Sequence, residues 1–111
     1  MLRVLVVEDE EMIRKGIVLA TDWQSLGCVV VGEAANGEEG LAAAERYNPN
    51  LIITDVRMPR MDGIEMMRRL REKESTAHFI ILTAYDEFDY ARAALRYGAA
   101  DYLLKPFKKE R

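Results

Sequence analysis

The segment Leu51–Asp55 (LIITD) sets the tightest limit on the architecture of this chain. Four apolar or β-branched residues in succession are typical of a strand buried on both faces, and Asn48-Pro49 and Pro59 bound it on either side. Such strands occur in parallel sheets, and open α/β folds bind their ligands at the carboxyl edge of the sheet. The segment therefore predicts a central parallel strand that carries the carboxylate of Asp55 to that edge.

Strand-like and helix-like patterns alternate along the rest of the chain. Further strands are predicted at 3–7, 29–34, 79–83 and 102–104, and helices at 11–21, at 37–47, after Asp62 and at 88–98. Asp62 is a suitable N-cap for the helix that follows it. Regular alternation of this kind predicts an α/β fold, in which a parallel sheet is covered by helices on both faces.

Length and composition restrict the chain to one globular domain. It has 111 residues, of which 50% are hydrophobic and 32% charged, and a net charge of −3. The negative charge argues against a nucleic-acid surface, and no apolar run approaches the ~20 residues of a membrane span. The single cysteine, Cys28, excludes an internal disulfide and fits a reducing compartment. We therefore expect a cytoplasmic protein with no membrane contact.

Polar side chains follow four of the predicted strands. Glu8 and Asp9 come after the first strand, Asp55 ends the third, Thr83 ends the fourth and Lys105 follows the fifth. Two carboxylates ~4 Å apart repel by about 1 kcal/mol in water and about 4 kcal/mol at an effective dielectric constant of ~20. The cluster therefore predicts that one acid keeps its proton or that a divalent cation binds, with oxygen ligands favouring Mg²⁺ or Mn²⁺. A plainer interpretation is that each acid only caps the following helix.

A metal-bound carboxylate beside a lysine and a threonine hydroxyl suits phosphoryl transfer. Asp55 is the geometric choice for the nucleophile, while a cation and Lys105 would neutralise charge on the phosphoryl oxygens. The loop after the first strand is acidic, so it does not form the Gly-rich cradle of an ordinary phosphate site. A metal-dependent phosphatase would use the same groups, but such enzymes commonly carry a second acid where this chain has Arg57.

Three segments together resemble the receiver domain of two-component response regulators. They read VVEDEEMIR, LIITDVRMPRMDG and IILTAYDEFDYARAALRYGAADYLLKPF, and the resemblance extends over nearly the whole chain. It implies a flavodoxin-like (βα)5 fold with strand order 2-1-3-4-5. It also implies a regulatory phosphoacceptor, which catalyses only its own phosphorylation and slow dephosphorylation, rather than an enzyme with a separate substrate.

The resemblance assigns roles to the acids of the cluster. Asp55 matches the phosphoacceptor, and a sensor histidine kinase is implied as the phosphoryl donor. Glu8, Asp9, Asp55 and the backbone carbonyl of Arg57 match the Mg²⁺ site, with Asp9 as a direct ligand. Phosphorylation would then switch the domain between two conformations.

Further residues match the switch itself. Thr83 matches the switch hydroxyl, Lys105 the lysine that contacts the phosphoryl group, and Tyr102 the aromatic residue that changes rotamer. Pro106 matches a proline that follows a cis peptide bond.

Two bulky residues are candidates for setting the lifetime of the phosphorylated form. Arg57 lies two residues after Asp55, and Tyr85 lies two residues after Thr83. The corresponding positions flank the path of water attack in the family, so our hypothesis is that these side chains hinder hydrolysis. The alternative is that both simply point into solvent.

The alternation predicts a fifth helix after Lys105-Pro106, but only four residues follow Phe107. We therefore expect 1–111 to be a receiver domain that lacks its last helix and any output domain, with a partly uncovered sheet and a tendency to form a homodimer. Segments 21–41 and 85–91 are similar to receivers of AraC-type transcriptional regulators, so DNA binding would need an output domain outside this chain. An interaction module that never takes phosphate is the other alternative.

Overall fold

The computed structural model describes residues 1–83 and 99–104, and of Thr83 and 99–104 it describes the backbone. Its strands are β1 (Leu2–Val7), β2 (Cys28–Ala34), β3 (Leu51–Asp55), β4 (His78–Thr83) and β5 (Ala99–Leu104). The helices in this part of the chain are α1 (Glu11–Ala20), α2 (Gly37–Tyr47) and α3 (Gly63–Glu72), and a short 3-10 turn spans Gln24–Leu26.

The five strands form one parallel sheet in the order β2-β1-β3-β4-β5. β3 lies at its centre and pairs with β1 through Val7 and Thr54, and with β4 through Asp55 and Leu82. Both the predicted strand order and the central position of Leu51–Asp55 are confirmed. Because all the strands run in the same direction, β1, β3 and β4 deliver their last residues to one edge, the carboxyl edge.

Successive residues of each strand point to opposite faces of the sheet. One face, called here the α2/α3 face, packs Leu5, Val7, Ile52, Phe79 and Ile81 against Ala44 of α2 and Met66, Met67 and Leu70 of α3. The other, the α1 face, packs Val4, Val6, Cys28, Ile53 and Leu82 under the half-buried Ile17, Val18 and Trp23. The flavodoxin-like arrangement, with helices on both faces of the sheet, is therefore confirmed.

The connection from α1 to β2 is held by a tryptophan. α1 ends at Ala20, and the indole Nε1 of Trp23 donates a hydrogen bond to the carbonyl oxygen of Val18 at 3.0 Å. The 3-10 turn that follows was not predicted, because three residues are too few to show a period.

β5 starts at Ala99, three residues before its predicted start at 102. Its first residues pair with β4, with Ala99 opposite Phe79 and Asp101 opposite Ile80, so backbone pairing extends the strand beyond its apolar part. The predicted helix at 88–98 and the shortened C-terminal helix lie outside the described residues. Within the described part of the chain, no helix is long and apolar enough to cross a membrane.

Candidate functional site

Three carboxylates converge at the carboxyl edge. A carboxylate oxygen from each of Glu8, Asp9 and Asp55 lies within 4.8 Å of the other two. Asp55 is the last residue of β3, while Glu8 and Asp9 come directly after the neighbouring strand β1. The sheet therefore brings together acids that are far apart in the sequence.

The three acids differ in burial and in their hydrogen bonds. Glu8 and Asp55 are buried, with exposed fractions of 0% and 4%, whereas Asp9 is exposed. The N–H of Val56 donates to Asp55 Oδ1 at 2.7 Å, and the N–H of Glu10 donates to Glu8 Oε2 at 3.0 Å. Backbone donors thus orient both buried carboxylates. These hydrogen bonds also offset the cost of burial, since a buried anion is stable only when it is paired or hydrogen-bonded.

The donor set fits a hard divalent cation. The three acids could hold a metal ion, and each would contribute a carboxylate oxygen. Hard cations prefer oxygen ligands, and the repulsion among three negative charges this close falls when a cation lies between them. Since Asp9 is exposed, water molecules can complete the coordination shell.

The backbone after Asp55 is packed tightly against the start of α3. The N–H of Gly63 donates to the carbonyl oxygen of Val56 at 2.7 Å, and the hydroxyl of Thr54 donates to the carbonyl oxygen of Asp55 at 2.9 Å. A Cβ at Gly63 would lie 2.1 Å from that same Asp55 oxygen, so only glycine fits here without a backbone shift. Sequence reasoning missed this role, although a glycine just after the helix-capping Asp62 was a usable signal.

The far end of the same loop rests on the start of α2. The N–H of Gly37 donates to the carbonyl oxygen of Met61 at 2.9 Å, and a Cβ at Gly37 would lie 2.2 Å from that oxygen. Next to this contact, Arg60 forms an ion pair with Glu38 at 2.9 Å. The loop after the central strand is therefore held by two helices.

A cleft of about 380 Å³ opens beside the acids. It shares Asp9 with the cluster, and its other lining residues are Val56, Arg57, Met58, Pro59 and Asp62. Arg57 is exposed in the loop that forms one wall. The cleft gives a reactant of moderate size access to the side of the acidic cluster.

Of the remaining predicted site residues, Thr83 lies at the same edge, Tyr102 lies within β5, and the others fall outside the described part. Thr83 is the last residue of β4, and it follows Leu82, which is the partner of Asp55 in the sheet. Tyr102 lies in β5 opposite Ile81. Tyr85, Lys105 and Pro106 fall outside the described residues.

Comparisons with known proteins all identify the same family. The family model described as the response regulator receiver domain matches residues 4–111. The receiver (REC) domain of AraT, a response regulator from Geobacillus stearothermophilus, is 44% identical with a TM-score of 0.91, over 96% of this chain and 83% of that one.

Two curated relatives are longer proteins. The uncharacterized transcriptional regulatory protein YesN of Bacillus subtilis is 37% identical over 99% of this chain, and the transcriptional regulatory protein HptR of Staphylococcus aureus is 34% identical over 96%. The matches span 30% of YesN and 41% of HptR. On the strength of the family match, the strand order and the acidic cluster, this chain belongs to the response regulator receiver domain family.

Proposed function

We propose that this domain is a phosphorylation switch in which Asp55 accepts a phosphoryl group from a sensor histidine kinase. The observation that carries the proposal is the approach of Glu8, Asp9 and Asp55 to within 4.8 Å at the carboxyl edge. Family membership supports it, because receiver domains of response regulators are regulatory and pair with histidine kinases.

The proposed cation is Mg²⁺, held by Glu8, Asp9, Asp55 and the backbone carbonyl of Arg57. When bound, it would neutralise charge on the phosphoryl oxygens and on the acids themselves. The chain's own part is to fix the ligands: the Val56 N–H orients the Asp55 carboxylate, and the Glu10 N–H orients the Glu8 carboxylate.

In the proposed transfer, a carboxylate oxygen of Asp55 attacks phosphorus while the bond from phosphorus to the donor histidine nitrogen breaks. The product is an acyl phosphate on Asp55 and a free imidazole on the kinase. Thr83 and Lys105 would then contact the new phosphoryl group, and Tyr102 would change rotamer. To move this equilibrium from 1:99 to 99:1, phosphorylation must favour the active state by about 5.5 kcal/mol.

The test is the intact mass of the protein after incubation with Mg²⁺ and acetyl phosphate. We expect the wild type to gain one phosphoryl group, only when Mg²⁺ is present, and Asp55→Asn to gain none. The matched control is Asp62→Asn, which removes an acid of the adjoining cleft but keeps the helix cap, because Asn and Asp cap equally well. A phosphorylated Asp55→Asn variant, or a folded wild type that never gains mass, would contradict the proposal.

We also propose that Arg57 and Tyr85 lengthen the life of the phosphorylated form by hindering water. The support is the position of Arg57, exposed in the wall of the cleft beside the acids. Loss of phosphate should quicken in Arg57→Asn and in Tyr85→Ala, as followed by the decay of the phosphorylated mass after acetyl phosphate is removed. Unchanged decay rates in both variants would sink the idea.

The proposed output is control of transcription, through an output domain outside these 111 residues. It is supported by two relatives that are transcriptional regulatory proteins. The proposed location is the cytoplasm, which suits the free, buried thiol of Cys28.

We further propose that the domain forms a homodimer through the outer, exposed surface of α1. Met12 and Leu19, one heptad apart on α1, are 88% and 80% exposed, which is unusual for two large apolar side chains on one helix. Sedimentation equilibrium should show a dimer that dissociates on dilution and is lost in Met12→Glu. A monomer at every concentration would contradict this.

A further inference from the structure

Arg14 of α1 reaches back to the loop that carries Glu8 and Asp9. Its Nη1 donates a hydrogen bond to the carbonyl oxygen of Glu8 at 2.8 Å, and its Nε donates to Glu33 Oε1 at 3.1 Å. Side chains in a helix point towards its N-terminus, which places the guanidinium of Arg14 beside the preceding loop. One side chain therefore connects α1, the edge strand β2 and the acidic loop.

The anchor of this connection is a partly exposed ion pair between Arg14 and Glu33. The side chains of Arg14 and Glu33 are only 14% and 28% exposed. Burial raises the pKa of Glu33, but hydrogen bonds from Lys15 and Arg14 outweigh it and leave the pKa below its ordinary value. Glu33 is therefore ionised near neutral pH, and its hydrogen bond with Arg14 is of the stronger, charge-assisted kind.

The hydrogen bond to the Glu8 carbonyl fixes more than one atom. That oxygen belongs to the planar peptide between Glu8 and Asp9, so holding it fixes the direction in which the chain enters Asp9. The N–H of Glu8 donates to the carbonyl oxygen of Ala34 at 3.0 Å, and the Glu8 carboxylate accepts the N–H of Glu10 at 3.0 Å. The loop is thus defined by hydrogen bonds on both sides of the Glu8–Asp9 peptide.

We propose that Arg14 is a positioning residue for cation binding, because it holds the Glu8–Asp9 peptide in the orientation that brings the Asp9 carboxylate towards Asp55. This rests on the proposed Mg²⁺ site. Positioning and simple charge effects predict opposite results. Removing a positive charge near three acids should strengthen cation binding, whereas releasing the loop should weaken it.

The test compares Mg²⁺ affinity in the wild type, Arg14→Met and Lys15→Met by titration calorimetry. Lys15 Nζ lies 3.0 Å from the same Glu33 oxygen, so Lys15→Met removes an equal charge from the same ion pair. We expect Arg14→Met to weaken binding about tenfold, the low end for residues that orient metal ligands, and Lys15→Met to bind as tightly as the wild type or tighter. Equal affinities in the two variants would overturn the proposal.

A second readout needs no metal. In the metal-free protein, amide hydrogen exchange at Glu10 should quicken in Arg14→Met and stay unchanged in Lys15→Met, because the Glu10 N–H bonds to the loop that Arg14 holds. Arg14→Lys keeps the charge but lacks the planar fork, so it should show the same direction with a smaller effect. Unchanged exchange in Arg14→Met would also overturn the proposal.

The two readouts separate this inference from the proposed function. A wild type that binds no Mg²⁺, together with faster Glu10 exchange in Arg14→Met, would refute the Mg²⁺ site and leave the loop-holding role of Arg14 established. If the wild type binds Mg²⁺ and Arg14→Met binds it equally tightly, the positioning role of Arg14 is refuted and the proposed Mg²⁺ site is not.

Discussion

The two faces of the sheet are covered in different ways. On the α2/α3 face, α3 contributes Met66, Met67 and Leu70 to the core, and the two methionines are fully buried. On the α1 face, α1 itself contributes no buried residue. Because burial of apolar surface is the main source of stability, most of the stability of the described part should come from the α2/α3 face. The acidic site lies at the edge that the two faces share.

Glycines in the two covering helices show the same contrast. A Cβ at Gly40 of α2 would lie 2.6 Å from the sulfur of Met66 and 3.1 Å from a methyl group of Val7. A Cβ at Gly16 of α1 would meet nothing within 4 Å. α2 is therefore packed as closely as its glycine permits, while Gly16 faces open space. The difference shows that α2 packs closely against the central strands, while the surface of α1 around Gly16 is open in the described part of the chain.

The largest expected effect is the loss of stability when a core side chain is truncated. Met67→Ala should lower the free energy of unfolding by ~2–5 kcal/mol, because it leaves a cavity in a fully buried site. Ile17→Ala, on the half-buried inner side of α1, should lower it by about 1 kcal/mol or less. Urea denaturation followed by Trp23 fluorescence would measure both. Losses of equal size would show that the two faces contribute alike.

Replacing the two glycines by alanine should change the free energy of unfolding in opposite directions. Gly40→Ala should destabilise the fold by ~1–3 kcal/mol, because the added methyl group overpacks the contact with Met66 and Val7. Gly16→Ala should stabilise it by about 0.5–1 kcal/mol, since alanine favours the helix and its methyl group meets no obstacle. Thermal unfolding of the two variants gives the signs directly. A stabilising Gly40→Ala would refute the close packing of α2.

The smallest effect concerns the solvent side of α3. Hydrogen bonds from Arg68 and Arg69 lower the pKa of Glu65 from 4.5 to about 2. Because the pKa of Glu65 is lower in the folded state, the ionised side chain stabilises the fold at any pH above the ordinary pKa of 4.5. This contribution is lost as the pH falls from about 4.5 towards about 2. Because these pairs are exposed, salt screens them and their effect on stability should be well below that of Met67→Ala.

An NMR titration of the Glu65 carboxyl carbon would check this value. Arg68→Gln should return the pKa towards its ordinary value while changing the unfolding free energy little. An ordinary pKa of Glu65 in the wild type would mean that Arg68 and Arg69 do not pair with this carboxylate in solution. A loss of stability in Arg68→Gln as large as that of Met67→Ala would mean that the outer surface of α3 matters as much as its buried side.

Much of the fold could be predicted from the sequence because each strand is a short apolar run. Leu51–Asp55 and the helix at 37–47 have their predicted bounds, and the strand order follows the prediction. The start of β5 could not be predicted, because Ala99 joins the strand through pairing with Phe79 rather than through its own hydrophobicity. Periodicity reports which residues are buried, and it says little about where backbone pairing stops.

The acids of the candidate site could be predicted from the sequence, but the residues that hold the surrounding backbone in place could not. Glu8, Asp9 and Asp55 stand at strand ends, and parallel strands must bring such residues to one edge. The reach of Arg14 to the Glu8 carbonyl and the contact of Gly63 with the Asp55 carbonyl depend on how loops and helices meet. Contacts of that kind leave no period in the sequence, so they are visible only in three dimensions.

The most direct measurement locates the phosphoryl group on the chain. The protein would be treated with Mg²⁺ and acetyl phosphate and then with borohydride, which reduces an acyl phosphate to an alcohol and so leaves homoserine in place of the phosphorylated aspartate. Peptide mass spectrometry should find homoserine at position 55, only in samples that contained Mg²⁺. Homoserine at Asp9 or Asp62 instead, or at no position in a folded protein, would contradict the assignment of Asp55 as the phosphoacceptor.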